Sequence, residues 1–200
     1  MINPMQTKYT SEVVPALQKA YNYQNVMQIP KIQKIVVNIG MGEAMGNAKM
    51  IERLIKAGAD AKGTSEEGQT VLMSAALSGN ADAVRVLIQN GADVNAVEPY
   101  KGQTALMFAA GEGNAKAVAQ LIEFGANVKA KSKGGYTAFH FAVRNRAADV
   151  IKELLAHGAD VNEPVPDGSG PLNMAIVNAY YDIASMLLDA GANPNAEDPR

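Results

Sequence analysis

The stretch from Gly102 to Lys133, GQTALMFAAGEGNAKAVAQLIEFGANVKAKSK, decides the fold because it carries two short helical patterns in succession. Thr104 is suited to cap the first helix, and the small alanines that follow it permit close contact between helices. Leu121 lies at core spacing in the second helix, and Gly125 is suited to the left-handed position that ends it. The stretch therefore predicts a helix–turn–helix unit.

The same pattern recurs at a fixed period on both sides of this stretch. The glycine that ends each second helix is found five times, at intervals of 33 or 34 residues: Gly58, Gly91, Gly125, Gly158 and Gly191. The first helix starts four times, at Thr70, Thr104, Thr137 and Gly170, always 21 residues before the glycine. The one extra residue therefore lies in the connection around residues 98–101. The predicted helices are shorter than the roughly 12–15 residues that an isolated helix needs to be stable. Stacking on neighbouring repeats must therefore stabilise them, as in a solenoid.

The first helices read TVLMSAA, TALMFAA and TAFHFAV, and the connections read GADVNA, GANVKA, GADVNE and GANPNA. With these motifs, the repeated segments resemble ankyrin repeats. The resemblance implies an all-α solenoid of stacked helix–turn–helix units with short β-type finger loops. The family's Pro is present only at Pro171 and its His only at His140, while Gly170 replaces the usual Thr. We therefore expect the contact between turn and helix to be weaker in three of the four repeats.

Residues 1–45 carry a different pattern. A helix is predicted over Glu12–Tyr21, and the alternating β-branched stretch Ile32–Ile39, IQKIVVNI, predicts a strand. The segment Tyr9–Ala44, YTSEVVPALQKAYNYQNVMQIPKIQKIVVNIGMGEA, resembles the amino-terminal end of a bacterial large-subunit ribosomal protein family that binds 5S ribosomal RNA. The resemblance covers about a quarter of such a protein. The packing of this helix and strand is not predicted by the sequence.

The sequence thus divides into a ribosomal-protein-like segment, 1–45, and a repeat domain, 46–200. Within the repeat domain we expect a partial repeat followed by four full ones: 46–67, 68–101, 102–134, 135–167 and 168–200. The inner helix of the partial repeat would have to be Val37–Met45, but the ribosomal-protein-like sequence occupies these positions. We therefore place a junction at about Ala44–Gly46. No polar capping helix follows the last repeat, so we expect a truncated chain or a partner at that end.

Composition excludes several classes of protein. The net charge is −2, of which residues 1–45 contribute +2 and residues 46–200 contribute −4. A mildly acidic repeat domain is a poor phosphate binder, so nucleic acid is not the expected partner of residues 46–200, and RNA binding stays open only for residues 1–44. The sequence contains no cysteine, no secretory signal and no apolar run long enough for a membrane span. We therefore expect a cytoplasmic protein that neither spans nor binds a membrane.

The sequence offers no residues for catalysis, a metal or a cofactor. His140 occupies the T-x-x-H position of its repeat, which favours a hydrogen bond to the turn over a catalytic role. His157 stands at a helix end, where a cationic side chain complements the helix dipole. Two histidines in different repeats, without cysteine, do not have zinc-ligand spacing. The protein is therefore predicted not to be an enzyme and to have no small-molecule substrate.

The resemblance to ankyrin repeats implies a partner-binding surface on the finger tips and the inner-helix face, at positions that vary between copies. Tyr100, Tyr136 and Arg144 are residue types that dominate interface energetics and are the first candidates. The full set is Glu66, Glu67, Gln69, Leu77, Ser78, Tyr100, Lys101, Gln103, Glu112, Lys133, Tyr136, Arg144, Asn145, Asp167, Ser169 and Asn178.

Three functions remain open from the sequence. The preferred one is a non-catalytic module that binds an unidentified partner protein through its concave face. The second is a ribosome-associated or 5S-RNA-binding protein acting through residues 1–44. The third is a chimera whose two parts have no evolved joint function.

Overall fold

A computed structural model describes residues 11–12, 15–16, 19, 47–56, 58–165 and 167–195. Helices alternate with loops through the three long ranges, and the first of these helices, α1 Ala48–Lys56, lies in the segment that the sequence predicts to be a partial repeat. Inner helices of 7 residues alternate with outer helices of 9 residues in the four repeats that follow: α2 Val71–Leu77, α3 Ala81–Gln89, α4 Ala105–Gly111, α5 Ala115–Glu123, α6 Ala138–Arg144, α7 Ala148–Ala156, α8 Pro171–Val177 and α9 Tyr181–Asp189. The predicted all-α repeat solenoid is confirmed.

The inner helices begin where the sequence predicts. The residues that precede them, Thr70, Thr104, Thr137 and Gly170, all have extended backbone conformations at the N-cap position. The Thr70 hydroxyl accepts a hydrogen bond from the Met73 N–H at 3.1 Å, and the Thr104 hydroxyl accepts one from the Met107 N–H at 3.4 Å. Each bond satisfies one of the N–H groups that the first turn of a helix leaves unpaired.

The helices form two layers with the core between them. Neighbouring inner helices pack on each other, each inner helix packs on its own outer helix, and α1 packs on α3. Alanines 75, 76, 109 and 110 are fully buried, so the inner helices approach closely. Leu121, Leu154 and Leu187 are also fully buried between the layers. At about 25 cal/mol per Å² of apolar surface, this burial is the main stabilising term of each repeat.

Finger loops connect each outer helix to the next inner helix. Within the three long described ranges, β pairing is limited to two isolated bridges, Thr64 with Thr70 and Val97 with Thr104. The finger turns are closed by backbone bonds such as Ser65 N–H to Gln69 O at 2.8 Å and Ser132 N–H to Tyr136 O at 2.9 Å. The predicted β-type fingers are therefore short hairpin turns.

The predicted glycine caps are confirmed by their backbone angles. All five recurring glycines have positive φ, from +86° to +98°. Arg146 and Ala179 also have positive φ, at 54° and 56°, in the turns between inner and outer helices. The first two repeats have Gly79 and Gly113 in those turns, so the third and fourth repeats carry left-handed strain that the first two avoid.

Several predictions for the N-terminal part lie outside the described residues: the strand Ile32–Ile39, the inner-helix position Val37–Met45 of the partial repeat and the junction Ala44–Gly46. Of the predicted helix Glu12–Tyr21, the structure describes four residues, and all four have helical backbone: Glu12 is π-helical, and Pro15, Ala16 and Lys19 are α-helical.

Candidate functional site

The finger tips are closed by side chains as well as by backbone bonds. The Ser65 hydroxyl accepts a hydrogen bond from the Gln69 N–H at 3.2 Å, and the Ser132 hydroxyl accepts one from the Tyr136 N–H at 3.1 Å. In the last finger the Asp167 carboxylate accepts from the Ser169 N–H at 2.9 Å. These bonds fix the turn conformation, so the residues at the tips are presented to solvent on a preorganised backbone.

The finger with the extra residue is closed by Glu98. Its carboxylate accepts hydrogen bonds from the N–H groups of Tyr100, Lys101 and Gln103 at 2.6, 2.8 and 3.0 Å, and only 4% of the residue is exposed. Desolvation raises the pKa of Glu98, but the three backbone donors and the nearby Lys133 ammonium outweigh it and lower the pKa below its ordinary value. The longer side chain thus spans the longer turn, in the role that Ser65 and Ser132 have in the five-residue turns.

We expect Glu98→Gln to lower the free energy of unfolding by about 1–2 kcal/mol at neutral pH, because an amide NH₂ would face a backbone donor. The pKa of Glu98 is lower in the folded state than in the unfolded state, so the ionised carboxylate stabilises the folded protein at pH values above the unfolded-state pKa. This contribution is lost as the pH falls through the folded value. Urea titrations at a series of pH values should show the difference between wild type and variant shrinking below about pH 4.5. Glu112→Gln, at an exposed position, is the matched control, and an equal loss there would contradict the role of Glu98.

Five of the sequence-predicted residues lie on two adjoining fingers and the inner helix α6, and together they are called the cationic–aromatic strip: Tyr100, Lys101, Lys133, Tyr136 and Arg144. The Lys133 N–H donates to the Lys101 carbonyl at 2.8 Å, which joins the second finger to the third. The Tyr136 ring lies 6.2 Å from the ring of Phe141, and the Arg144 guanidinium lies 5.0 Å from the same ring. The strip therefore runs from two neighbouring finger tips onto the inner helix α6.

Three other predicted residues have structural hydrogen bonds at helix ends. The Ser78 hydroxyl donates to Ala75 O at 2.9 Å, and the Asn178 amide donates to Met174 O at 2.7 Å. The Asn145 amide donates to Gly111 O in the preceding repeat. Their roles in partner binding stay predictions, as do those of the remaining exposed or half-buried positions: Glu66, Glu67, Gln69, Leu77, Gln103, Glu112 and Asp167. Ser169, which the sequence places on the surface, is instead buried in the last finger, where its N–H donates to the Asp167 carboxylate.

The asparagines that join neighbouring repeats were not predicted from the sequence. Asn95 accepts from the Asn127 N–H at 2.8 Å, and its amide donates to Gly125 O at 3.1 Å. Asn162 makes the same pair of contacts with Asn193 and Gly191 at 2.8 and 3.3 Å. The recurrence of Asn in GADVN was a signal for this role, and Lys129 replaces it in the second full repeat.

His140 is fully buried and ties its turn to the following finger. Its Nδ1 accepts from the Thr137 N–H at 3.0 Å, and its Nε2 lies 2.8 Å from Glu163 O, which fits a donated hydrogen bond from the Nε2–H tautomer. Burial lowers the pKa of His140 below its ordinary value, and Lys131 acts in the same direction, although Glu163 opposes both. These contacts confirm the predicted turn-bonding role. In the first repeat the Met73 sulfur lies 3.4 Å from the Thr70 N, so it replaces only the turn contact.

We expect His140→Met to lower the free energy of unfolding by about 1–2 kcal/mol above pH 7, because Glu163 O loses its donor. The pKa of His140 is lower in the folded state than in the unfolded state, where it is about 6.5. Below that pH the unfolded chain therefore binds more protons than the folded chain, and acid lowers the free energy of unfolding of the wild type. The stability advantage of the wild type should therefore shrink as the pH falls below about 6.5, as measured by thermal unfolding in matched buffers. His157 is present in both proteins and cancels; a pH-independent difference would contradict the assignment.

Among the residues that the structure describes, no group of three or more His, Cys, Asp or Glu side chains is placed to hold a metal ion. None of the helices in that part of the chain has the length and apolar character to cross a membrane.

Comparison with known proteins gives two different results for two parts of the chain. A family model described as ankyrin repeats (3 copies) matches residues 41–132, 91–165 and 107–198. A short segment is similar to a protein named large ribosomal subunit protein uL5. The identity is 55% over 51 residues with that of Symbiobacterium thermophilum, 53% over 53 residues with that of Streptococcus thermophilus, and 46% over 56 residues with that of Brevibacillus brevis. These matches cover 26–28% of this chain and only 28–31% of the relatives.

Proposed function

Because the chain belongs to the ankyrin-repeat family, whose domains are generally protein-interaction modules, we propose that it binds a partner protein through its finger tips and inner-helix face. We propose further that it acts without catalysis. The observation that carries the proposal is the cationic–aromatic strip, which continues across two fingers and α6. Tyr100 is 71% exposed at the tip of the finger closed by Glu98. Aromatic and arginine side chains on a preorganised surface are the residue types that dominate binding energy.

The test compares two pairs of substitutions of identical type. Tyr100→Ala with Arg144→Ala removes two strip residues, whereas Tyr181→Ala with Arg85→Ala removes an exposed tyrosine and arginine from the outer helices α9 and α3. Binding proteins are selected from a proteome-wide display library with the wild-type chain, and their affinities are measured by calorimetry. The strip variant should weaken binding more than about tenfold and the control should not. Equal loss in both variants, or no selected binder, would contradict the proposal.

A second candidate function is ribosome association through residues 1–44. The observation that favours it is the 46–55% identity of a short segment to the ribosomal relatives named above. A gel-shift assay of the full chain with 5S ribosomal RNA tests it, and specific binding should weaken steeply as salt rises. If no shift is found at low salt, this function is ruled out and the segment carries no RNA-binding role of its own. In a chimera without a joint function, each part would pass or fail its own test independently of the other. The cytoplasmic location also stays a prediction.

A further inference from the structure

Two lysines are held side by side in the strip. Lys133 donates its backbone N–H to Lys101 O at 2.8 Å, and its ammonium lies 2.5 Å from Pro99 O. Gly102 permits this approach, since a Cβ there would lie 3.0 Å from the Lys133 side chain and 3.1 Å from its backbone nitrogen. The fold therefore places two lysines on adjacent finger backbones.

The three cations of the strip have no ion-pair partner among the described residues. The ion pairs found there join Arg85, Lys131, Arg146, Lys152 and His157 to acidic side chains, and none of them includes Lys101, Lys133 or Arg144. The Lys133 ammonium interacts electrostatically with Glu98, but the Glu98 carboxylate already accepts hydrogen bonds from three backbone N–H groups. Lys101 and Arg144 therefore have no acidic partner in the described part of the chain, and Lys133 contacts the Pro99 carbonyl and lowers the pKa of Glu98 without an ion pair.

The aromatic contacts orient the third cation. The Arg144 guanidinium lies 5.0 Å from the centre of the Phe141 ring, which lies 6.2 Å from the Tyr136 ring. A guanidinium stacked on a ring keeps its N–H edges for a planar anion, and two parallel N–H bonds match a carboxylate. Arg144 is exposed, so these edges are accessible.

Acidic residues surround the strip and limit the length of any anion. Glu66 and Glu67 are exposed in the first finger, Glu112 is exposed at the end of α4, and Asp167 is exposed in the last finger. The repeat domain as a whole has a net charge of −4. A long polyanion such as RNA would meet these charges on both sides, whereas a short acidic stretch within a polypeptide would not.

We propose, on the basis of the proposed function, that the partner presents a short acidic polypeptide segment to this strip. Its carboxylates pair with Lys101, Lys133 and Arg144. The apolar or aromatic side chains beside them contact Tyr100 and Tyr136. Binding should therefore require acidic residues, and it should weaken with rising salt as exposed ion pairs do.

The experiment uses the full chain and a random peptide array, with peptides of about 12 residues so that an extended segment spans the fingers. Bound peptides should be enriched in Asp and Glu next to aromatic or aliphatic residues. One selected acidic peptide is then titrated by fluorescence anisotropy against Lys101→Glu with Lys133→Glu. The control, Lys116→Glu with Lys152→Glu on the outer helices, has the same change in net charge. The strip variant should bind at least about tenfold more weakly and the control within about twofold of wild type.

The outcomes separate this inference from the proposed function. Peptides of unbiased charge whose binding is lost in Tyr100→Ala with Arg144→Ala would overturn the acidic ligand and leave the interaction surface standing. If no peptide binds, or if binding is insensitive to every strip variant, both proposals fail. Equal loss in the control would show a net-charge effect and overturn the assignment to the strip. A single-stranded RNA oligonucleotide that displaces the acidic peptide at equal or lower concentration would assign the strip to nucleic acid.

Discussion

Phe139→Ala should lower the free energy of unfolding by about 3–5 kcal/mol, because truncating a buried aromatic side chain loses its transfer free energy and leaves a cavity. Phe139 is 1% exposed and lies on α6. That helix packs against α4 in the repeat before it, α8 in the repeat after it and its own outer helix α7. The substitution therefore weakens two interfaces between repeats as well as one repeat.

Urea unfolding followed by circular dichroism measures the loss, and Phe124→Ala is the control. Phe124 is only partly buried at the end of α5, so its truncation should cost less than about 2 kcal/mol. Hydrogen exchange then shows how far the effect spreads. In a solenoid stabilised by nearest-neighbour interfaces, amides of α4 through α9 should lose protection together. Loss confined to α6 would show that the repeats are energetically independent.

The period of the sequence predicts the fold because each repeat has to match its neighbours. The starts of the inner helices at Thr70, Thr104, Thr137 and Gly170 and the left-handed glycines follow directly from local chemistry, and the structure confirms both. Caps and left-handed turns each need particular residue types, so a local pattern is enough to identify them.

The functional details depend on contacts that a local pattern does not contain. A glutamate in a loop, such as Glu98, is expected to be exposed to solvent. Its burial follows from the three backbone N–H groups that the longer turn directs at its carboxylate. The strip was predicted only as separate variable positions. Its continuity comes from the hydrogen bond between Lys133 and Lys101, residues that lie on different fingers. The sequence therefore predicts most of the exposed positions, with Ser169 as an exception, and the packing of neighbouring repeats determines which of them lie together.

Gly79→Ala should lower the free energy of unfolding by about 2–4 kcal/mol, the sum of left-handed strain and the loss of two hydrogen bonds between repeats. Gly79 has φ of +73°, and a Cβ there would lie 2.6 Å from the Asn114 side-chain oxygen. The Asn114 amide donates to Ala76 O at 3.0 Å and to Leu77 O at 2.9 Å, at the end of α2. Displacing it leaves two helix carbonyls without this partner.

Gly125→Ala separates strain from contact, because Gly125 has φ of +87° and its Cβ would meet nothing within 4 Å. We expect this control to cost only the strain of about 1–2 kcal/mol. In an Asn114→Ala background the cost of Gly79→Ala should fall to the same level, since the amide that it displaces is already absent. Thermal unfolding of the four single and double variants measures the coupling. If Gly79→Ala and Gly125→Ala cost the same in the wild-type background, the Asn114 contact does not stabilise the stack, and its place between the repeats is a consequence of packing alone.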